Sequence, residues 1–221
     1  MSPLVDKVVL RVPAKLPNHP GQTDKPEDSF PMIHAPLADR LWTNDASSAL
    51  LRNGALAILG SLVVAAAAQV NVPMQPVPMT LQTLAVLAVG AAFGARLGAA
   101  TLVLYALEAA VGLPVLAEMK GGLPVLLGPT GGYVLGFIFA AGLVGHLAER
   151  GFDRSVLRMA VAMLAGAAIL YVPGLLWLSG FIGFEKAITF GLTPFLLGDL
   201  IKTAIAAIGF PALWMLLGEN R

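Results

Sequence analysis

Residues 196–210 read LLGDLIKTAIAAIGF. Thirteen of these fifteen positions suit a helix in a hydrocarbon environment, and two, Asp199 and Lys202, do not. A charge at the centre of a membrane helix costs about 2.5–3.5 kcal/mol on insertion scales. Asp199 and Lys202 stand one helical turn apart, so they share a face and lie within reach of each other. The segment is therefore read as a membrane helix that carries a polar site.

The surrounding chain supports that environment. Of its 221 residues, 57% are hydrophobic and only 12% are charged, and the mean hydropathy is +0.79. Soluble domains carry about 25% charged residues. The formal net charge is +1, which invites no nucleic acid. Cysteine is absent, which excludes disulfides and thiol chemistry. His19, His34 and His146 are too scattered to suggest a metal site, and no cofactor is expected. The phosphate-loop pattern GxxxxGK[ST] does not occur, so the chain is not expected to hydrolyse ATP by itself.

Residues 1–48 hold seven of the 16 prolines and many of the charges. They read as a flexible polar N-terminal tail that buries little apolar surface. They lack the apolar core of a signal peptide. Residues 49–221 read as one membrane domain. No charge occurs between Arg52 and Arg96, but VNVPMQPVPMTLQT (70–83) interrupts that run with prolines. The spans expected are 50–70, 81–94, 96–112, 131–148, 156–180 and 194–218, the second and third being short for a core of about 30 Å. The fold class is thus all-α, a polytopic integral membrane protein of six transmembrane helices. With the N-terminus inside, Arg40, Arg52, Arg96, Arg150, Arg154, Arg158 and Arg221 fall on the inner side, against Lys120 and Lys186 outside. Seven against two follows the positive-inside rule and predicts both termini in the cytoplasm.

In this arrangement the loops 71–80 and 113–130 lie on the outer side, above Asp199 and Lys202. Irregular backbone at membrane depth is tolerated where it lines a cavity. The apolar, proline-rich stretch that includes Val77, Pro78 and Met79 reads either as a tight connection between two spans or as a lid, with the amide of Gln82 and the hydroxyl of Thr83 beside it. GPTGGY (128–133) offers glycine backbone for close approach to a ligand, covered by Tyr133, with Thr130 as a helix N-cap. An ion pair alone is replaceable by apolar residues at little cost. A ligand site uses both groups, the carboxylate accepting N–H groups and the ammonium donating to a carbonyl. A proton relay is disfavoured, because the lysine favours the ionised carboxylate. Glu108 requires a polar neighbour that the sequence does not name, while Glu118 and Lys120 read as solvated. Ala57, Ser61 and Ala65 recur every four residues, forming either an internal packing face or a docking face for another membrane subunit. A membrane hydrolase would need Ser179 with His146, which are predicted at opposite ends of their helices.

The strings PVPMTLQTLAVLAVGAAFGARLGAATLVLYALEAAVGLPV (76–115), GGLPVLLGPTGGYVLGF (121–137) and GDLIK (198–202), in that order, resemble the BioY family over about residues 50–218. These are biotin-specific substrate-binding subunits of energy-coupling-factor transporters. The resemblance implies a non-enzymatic subunit of the cell (inner) membrane. It implies that Asp199 and Lys202 bind the ureido ring of biotin, with Gln82, Thr83 and Tyr133 near the pocket and the Val77–Pro78–Met79 loop as a gate. It also implies that Ala57, Ser61 and Ala65 dock onto a transmembrane coupling subunit accompanied by two ATPase subunits. The alternative is a stand-alone membrane carrier for biotin or a related small molecule.

Overall fold

The computed structural model describes residues 35–38 and 49–218. The expected tail, 1–48, lies almost wholly outside the described residues. Among the described residues from 49 onward, seven α-helices follow one another: α1 (Ala49–Gln69), α2 (Gln82–Ala110), α3 (Leu123–Leu126), α4 (Gly131–Ala148), α5 (Val156–Ile182), α6 (Phe184–Gly191) and α7 (Phe195–Leu216). Five of them, α1, α2, α4, α5 and α7, are long and apolar enough to cross a membrane. The all-α, membrane-embedded class holds.

The prolines of the first loop do not leave it shapeless. Asn71–Val72 (β1) and Met79–Thr80 (β2) pair antiparallel, Asn71 opposite Thr80 and Val72 opposite Met79. Prolines occupy the connection, where no ladder hydrogen bond is needed.

Helix α2 is formally continuous but folds back on itself at Gly94, which sits at φ 80°, ψ 176°. That region is essentially open to glycine alone. The side chains of Gln82 and Tyr105, 23 residues apart, meet at 2.6 Å. In a straight helix they would be separated by about 34 Å. The two arms, 82–93 and 95–110, lie back to back, and a Cβ on Gly98 would come within 2.9 Å of the Gly90 Cα. This agrees with the expected break between the second and third spans. The second arm is capped across the break: the Ala95 N–H donates to Glu149 Oε1 at 2.9 Å. Every residue of the first arm is buried or half-buried. Its length, about 18 Å, is therefore tolerable, because other helices surround it in place of lipid.

Helix α4 lies against both α2 and α5 through small residues. Gly90 touches the backbone of Ala141, Gly145 touches Gly94 and Ala95, and Gly136 touches Leu170. Close backbone approach of this kind is the main way membrane helices gain packing energy, since lipid tails are as apolar as leucine. Val86, Leu102, Val144, Met159, Met163 and Leu170 fill the centre. At the arginine-bearing end, Trp214 of α7 donates to Asp153 Oδ2 at 2.6 Å, and the Arg154 guanidinium stacks 4.5 Å from the Trp214 ring. This ties the last helix to the turn between α4 and α5.

Helix α6 is not anticipated by the sequence reading, which placed Lys186 in an outer connection between the fifth and sixth spans. It begins after Gly183 (φ 82°) and buries only Ala187 and Gly191. Thr130 precedes α4 as expected, but its side chain makes no capping bond. Two glycines of GPTGGY serve packing: Gly131 abuts the Leu126 carbonyl, and Gly132 abuts Trp177 and Pro173. Gly131 and Gly132 are thus taken up by neighbouring groups of the fold, whereas the sequence reading expected close approach to a ligand.

Candidate functional site

Four side chains from three helices close a polar ring. Lys202 Nζ of α7 donates to Asp199 Oδ1 at 3.1 Å and to Thr83 Oγ1 at 2.7 Å. The Thr83 hydroxyl, in the first turn of α2, donates to Asp199 Oδ1 at 3.3 Å. The Tyr171 hydroxyl of α5 donates to Asp199 Oδ2. Asp199 is 8% exposed. A buried ion pair is sustained only where hydrogen bonds satisfy its remaining valences, and Thr83 and Tyr171 supply them. Leu84, Leu87, Met163 and Leu170 wall this ring, leaving a cavity of about 10 Å³. That holds about one water molecule.

A second cavity, of about 380 Å³, lies beneath the loops and is lined by Val77, Pro78, Leu116, Val125, Gly128 and Tyr133, among others. Tyr133 lines this second cavity and touches Tyr171, which lines the first. Its ring meets that of Tyr171 edge-on, with centroids 6.3 Å apart, and its hydroxyl donates to the Gly191 carbonyl at 2.9 Å. Val77 is 7% exposed and points inward. The sulfur of Met79 lies beside Gly198, so β2 rests on the start of α7, next to Asp199. The loop 113–130 forms the other half of the roof. The Trp177 indole N–H fastens it by donating to the Gly128 carbonyl at 2.9 Å.

The structure thus brings together Asp199, Lys202, Thr83 and, one ring away, Tyr133, with Val77, Pro78 and Met79 in the roof. Gln82 is placed differently. It is 6% exposed, lines neither cavity, and donates to the Tyr105 hydroxyl, which in turn donates to the Val115 carbonyl at 2.7 Å. Its helical phase turns it into the α2 hairpin, whereas the sequence reading expected it near the pocket. Ser61 is 0% exposed and donates to the Glu108 carboxylate. The missing neighbour of Glu108 is therefore Ser61, and the centre of the small-residue face is an internal contact with α2. Ala57 and Ala65 flank it, half-buried. Glu118 and Lys120 are exposed, as expected, and pair with each other. The Ser179 hydroxyl donates to the Leu176 carbonyl, whereas His146 lies beside Arg52 and Arg96, so they form no pair. Tyr171 and Tyr105 were missed. The available signal was a phenol within an apolar helix, since a buried Tyr hydroxyl usually has a partner.

Known proteins resemble this chain closely. A protein of Thermotoga maritima named biotin transporter BioY is 39% identical over 147 residues, covering 66% of this chain and 86% of that protein. A probable biotin transporter BioY of Pyrococcus horikoshii is 37% identical over 141 residues, or 64% of this chain and 83% of the relative. The biotin transporter BioY of Rhodobacter capsulatus is 34% identical over 167 residues, or 69% and 87%. The fold is shared with a crystal structure of the S-component for biotin from an ECF-type ABC transporter: TM-score 0.67, 23% identity, covering 77% of this chain and 94% of that one. Together with the apolar helices, these matches make the chain a multi-pass protein of the cell membrane. Residues 39–219 match the model that describes the BioY family, and the chain belongs to that family.

Proposed function

We propose that this protein captures biotin as the substrate-binding subunit of an energy-coupling-factor transporter. The observation that carries this reading is the Asp199–Lys202–Thr83–Tyr171 ring, buried below a roofed cavity in a chain whose relatives are named biotin transporters. Biotin presents a urea with two N–H donors and one carbonyl. Asp199 accepts the donors and Lys202 donates to the carbonyl, each as a charge-assisted bond. The thioether ring and valeryl chain suit the apolar cavity under Val77, Pro78 and Leu116. Ligand pockets combine apolar walls with a few placed polar groups in this way. Because the lower cavity holds about one water molecule, entry of the urea requires the ring to open. Binding exchanges the Lys202–Thr83 and Tyr171–Asp199 bonds for bonds to the ligand. Tyr133 stands at the boundary, where its ring can stack on the bound molecule.

The topology follows from the same reading. The two arms of α2 count separately, giving six helices, and the reversal at Gly94 supports that count. The ends bearing Arg52, Arg96, Arg150, Arg154 and Arg158 face the cytoplasm, by the positive-inside rule. The roofed cavity then opens outward. Chemistry is not assigned to this subunit. ATP hydrolysis comes from two ATPase subunits through a coupling subunit that meets α1 near Ala57 and Ala65, with Ser61 retained inside by Glu108.

Titration calorimetry on the purified chain, freed of bound ligand, tests the site. The parent binds biotin one to one, and Asp199→Asn or Lys202→Met weakens binding about a hundredfold, equivalent to about 2.7 kcal/mol. Parental affinity in folded variants removes the site assignment. Absence of binding by the folded parent removes biotin as the ligand.

A further inference from the structure

Gln69 is the last residue of α1, and both ends of its side-chain amide are committed to the loop that roofs the larger cavity. Its Nε2 donates to the Leu116 carbonyl at 3.0 Å and to the Ala65 carbonyl at 3.2 Å. Its Oε1 accepts the Met119 N–H at 3.0 Å. The loop is thus gripped at two points, one on either side of Glu118.

This grip falls on the least relaxed part of the loop. Glu118 and Met119 are consecutive non-glycine residues in the left-handed region, at φ 60° and φ 57°. Such conformations cost free energy for side chains other than glycine and persist where surrounding contacts determine them. The turn is closed internally by the Leu116 N–H to the Lys120 carbonyl at 3.0 Å. Among the described residues, the side chains outside the loop that bond its backbone between 113 and 120 are Gln69 and Tyr105. Tyr105 holds Val115, near the loop's junction with α2. Gln69 holds the tip. Leu116, whose carbonyl it takes, is 6% exposed and lines the cavity, together with Ala117, Glu118 and Lys120.

We infer that Gln69 is a positioning residue for ligand capture: it latches the 116–120 turn to α1, keeps that edge of the roof closed, and so sets the rate at which bound ligand escapes. This rests on the larger cavity being the path of the ligand. It makes the outer end of α1 the element whose displacement frees the roof. Gln69 itself touches no part of either cavity.

The test is the dissociation of labelled biotin from the purified full chain, chased with unlabelled biotin, beside hydrogen exchange of the 116–120 segment. Gln69→Leu removes both loop bonds at similar volume. Gln69→Glu keeps an acceptor for the Met119 N–H and loses the donor to Leu116. The expected result is dissociation at least about tenfold faster in Gln69→Leu, an intermediate rate in Gln69→Glu, and Met119 amide exchange accelerated in the same order. Dissociation within twofold of the parent in Gln69→Leu overturns the latch, as does unchanged exchange of the Met119 amide. A general loss of structure would accelerate exchange across α4 and α5 as well, and that outcome also counts against a local latch. Asp199→Asn separates this proposal from the site: parental affinity there refutes the polar ring as the binding site, whatever the Gln69 variants do.

Discussion

At the scale of single residues, the energetics turn on polar groups that must be partnered away from water. Ser61 and Glu108 show this outside the Asp199–Lys202 ring. Ser61→Ala leaves a carboxylate without its donor, and an unsatisfied buried group costs about 1–3 kcal/mol. The double variant Ser61→Ala, Glu108→Leu removes both needs and should recover most of the loss. Thermal melting of the two single variants and the double variant in detergent is the check, and additive losses would show that the pair is not coupled. Asp199 and Lys202 were legible in the sequence because charge at membrane depth is expensive and stands out, and Thr83 because it follows the proline-rich stretch. Tyr171 and Tyr105 were not, because in an apolar helix a tyrosine reads as bulk until its hydroxyl partner is seen. The two amides exchanged roles for a related reason. Gln82 follows a conspicuous proline motif and drew notice, yet helical phase aims it at Tyr105. Gln69 ends an unremarkable helix and reaches a loop 47 residues away, a distance no local pattern encodes.

At the scale of elements, prolines and charge spacing located the loops, and Arg96 marked the division of α2. What the pattern lacked was the geometry of the division. Gly94 reverses the chain in a conformation suited to glycine, and a Cβ there would collide with the Glu149 carboxylate and lie 2.9 Å from Pro36. Gly94→Ala is therefore expected to lower stability by about 1–3 kcal/mol from backbone conformation alone, with the collision added. A melting temperature equal to that of the parent would show that the reversal tolerates a side chain. The glycines of GPTGGY teach a complementary lesson. A glycine announces that something approaches closely, but only the fold says whether the visitor is a ligand or, as at Gly132, Trp177 and Pro173. Helix α6 escaped notice because eight residues with two charges resemble a connector.

At the scale of the whole molecule, orientation is the property that gives the site its meaning, and the chain is convenient for measuring it because it contains no cysteine. Single cysteines at Lys120 and Arg150 should behave oppositely in intact cells. An impermeant maleimide should label position 120 from outside and reach position 150 only after permeabilisation. The reverse pattern would invert the topology and turn the roofed cavity towards the cytoplasm. The ring described above also has a bearing on bioenergetics. Asp199 and Lys202 cancel each other, so the empty site carries no net charge. Moving one elementary charge through the membrane field involves about 2.3 kcal/mol per 100 mV, and a neutral ring escapes that work altogether. Moving the ring through the field is thus indifferent to voltage, and a bound biotin adds there only the charge of its own carboxylate.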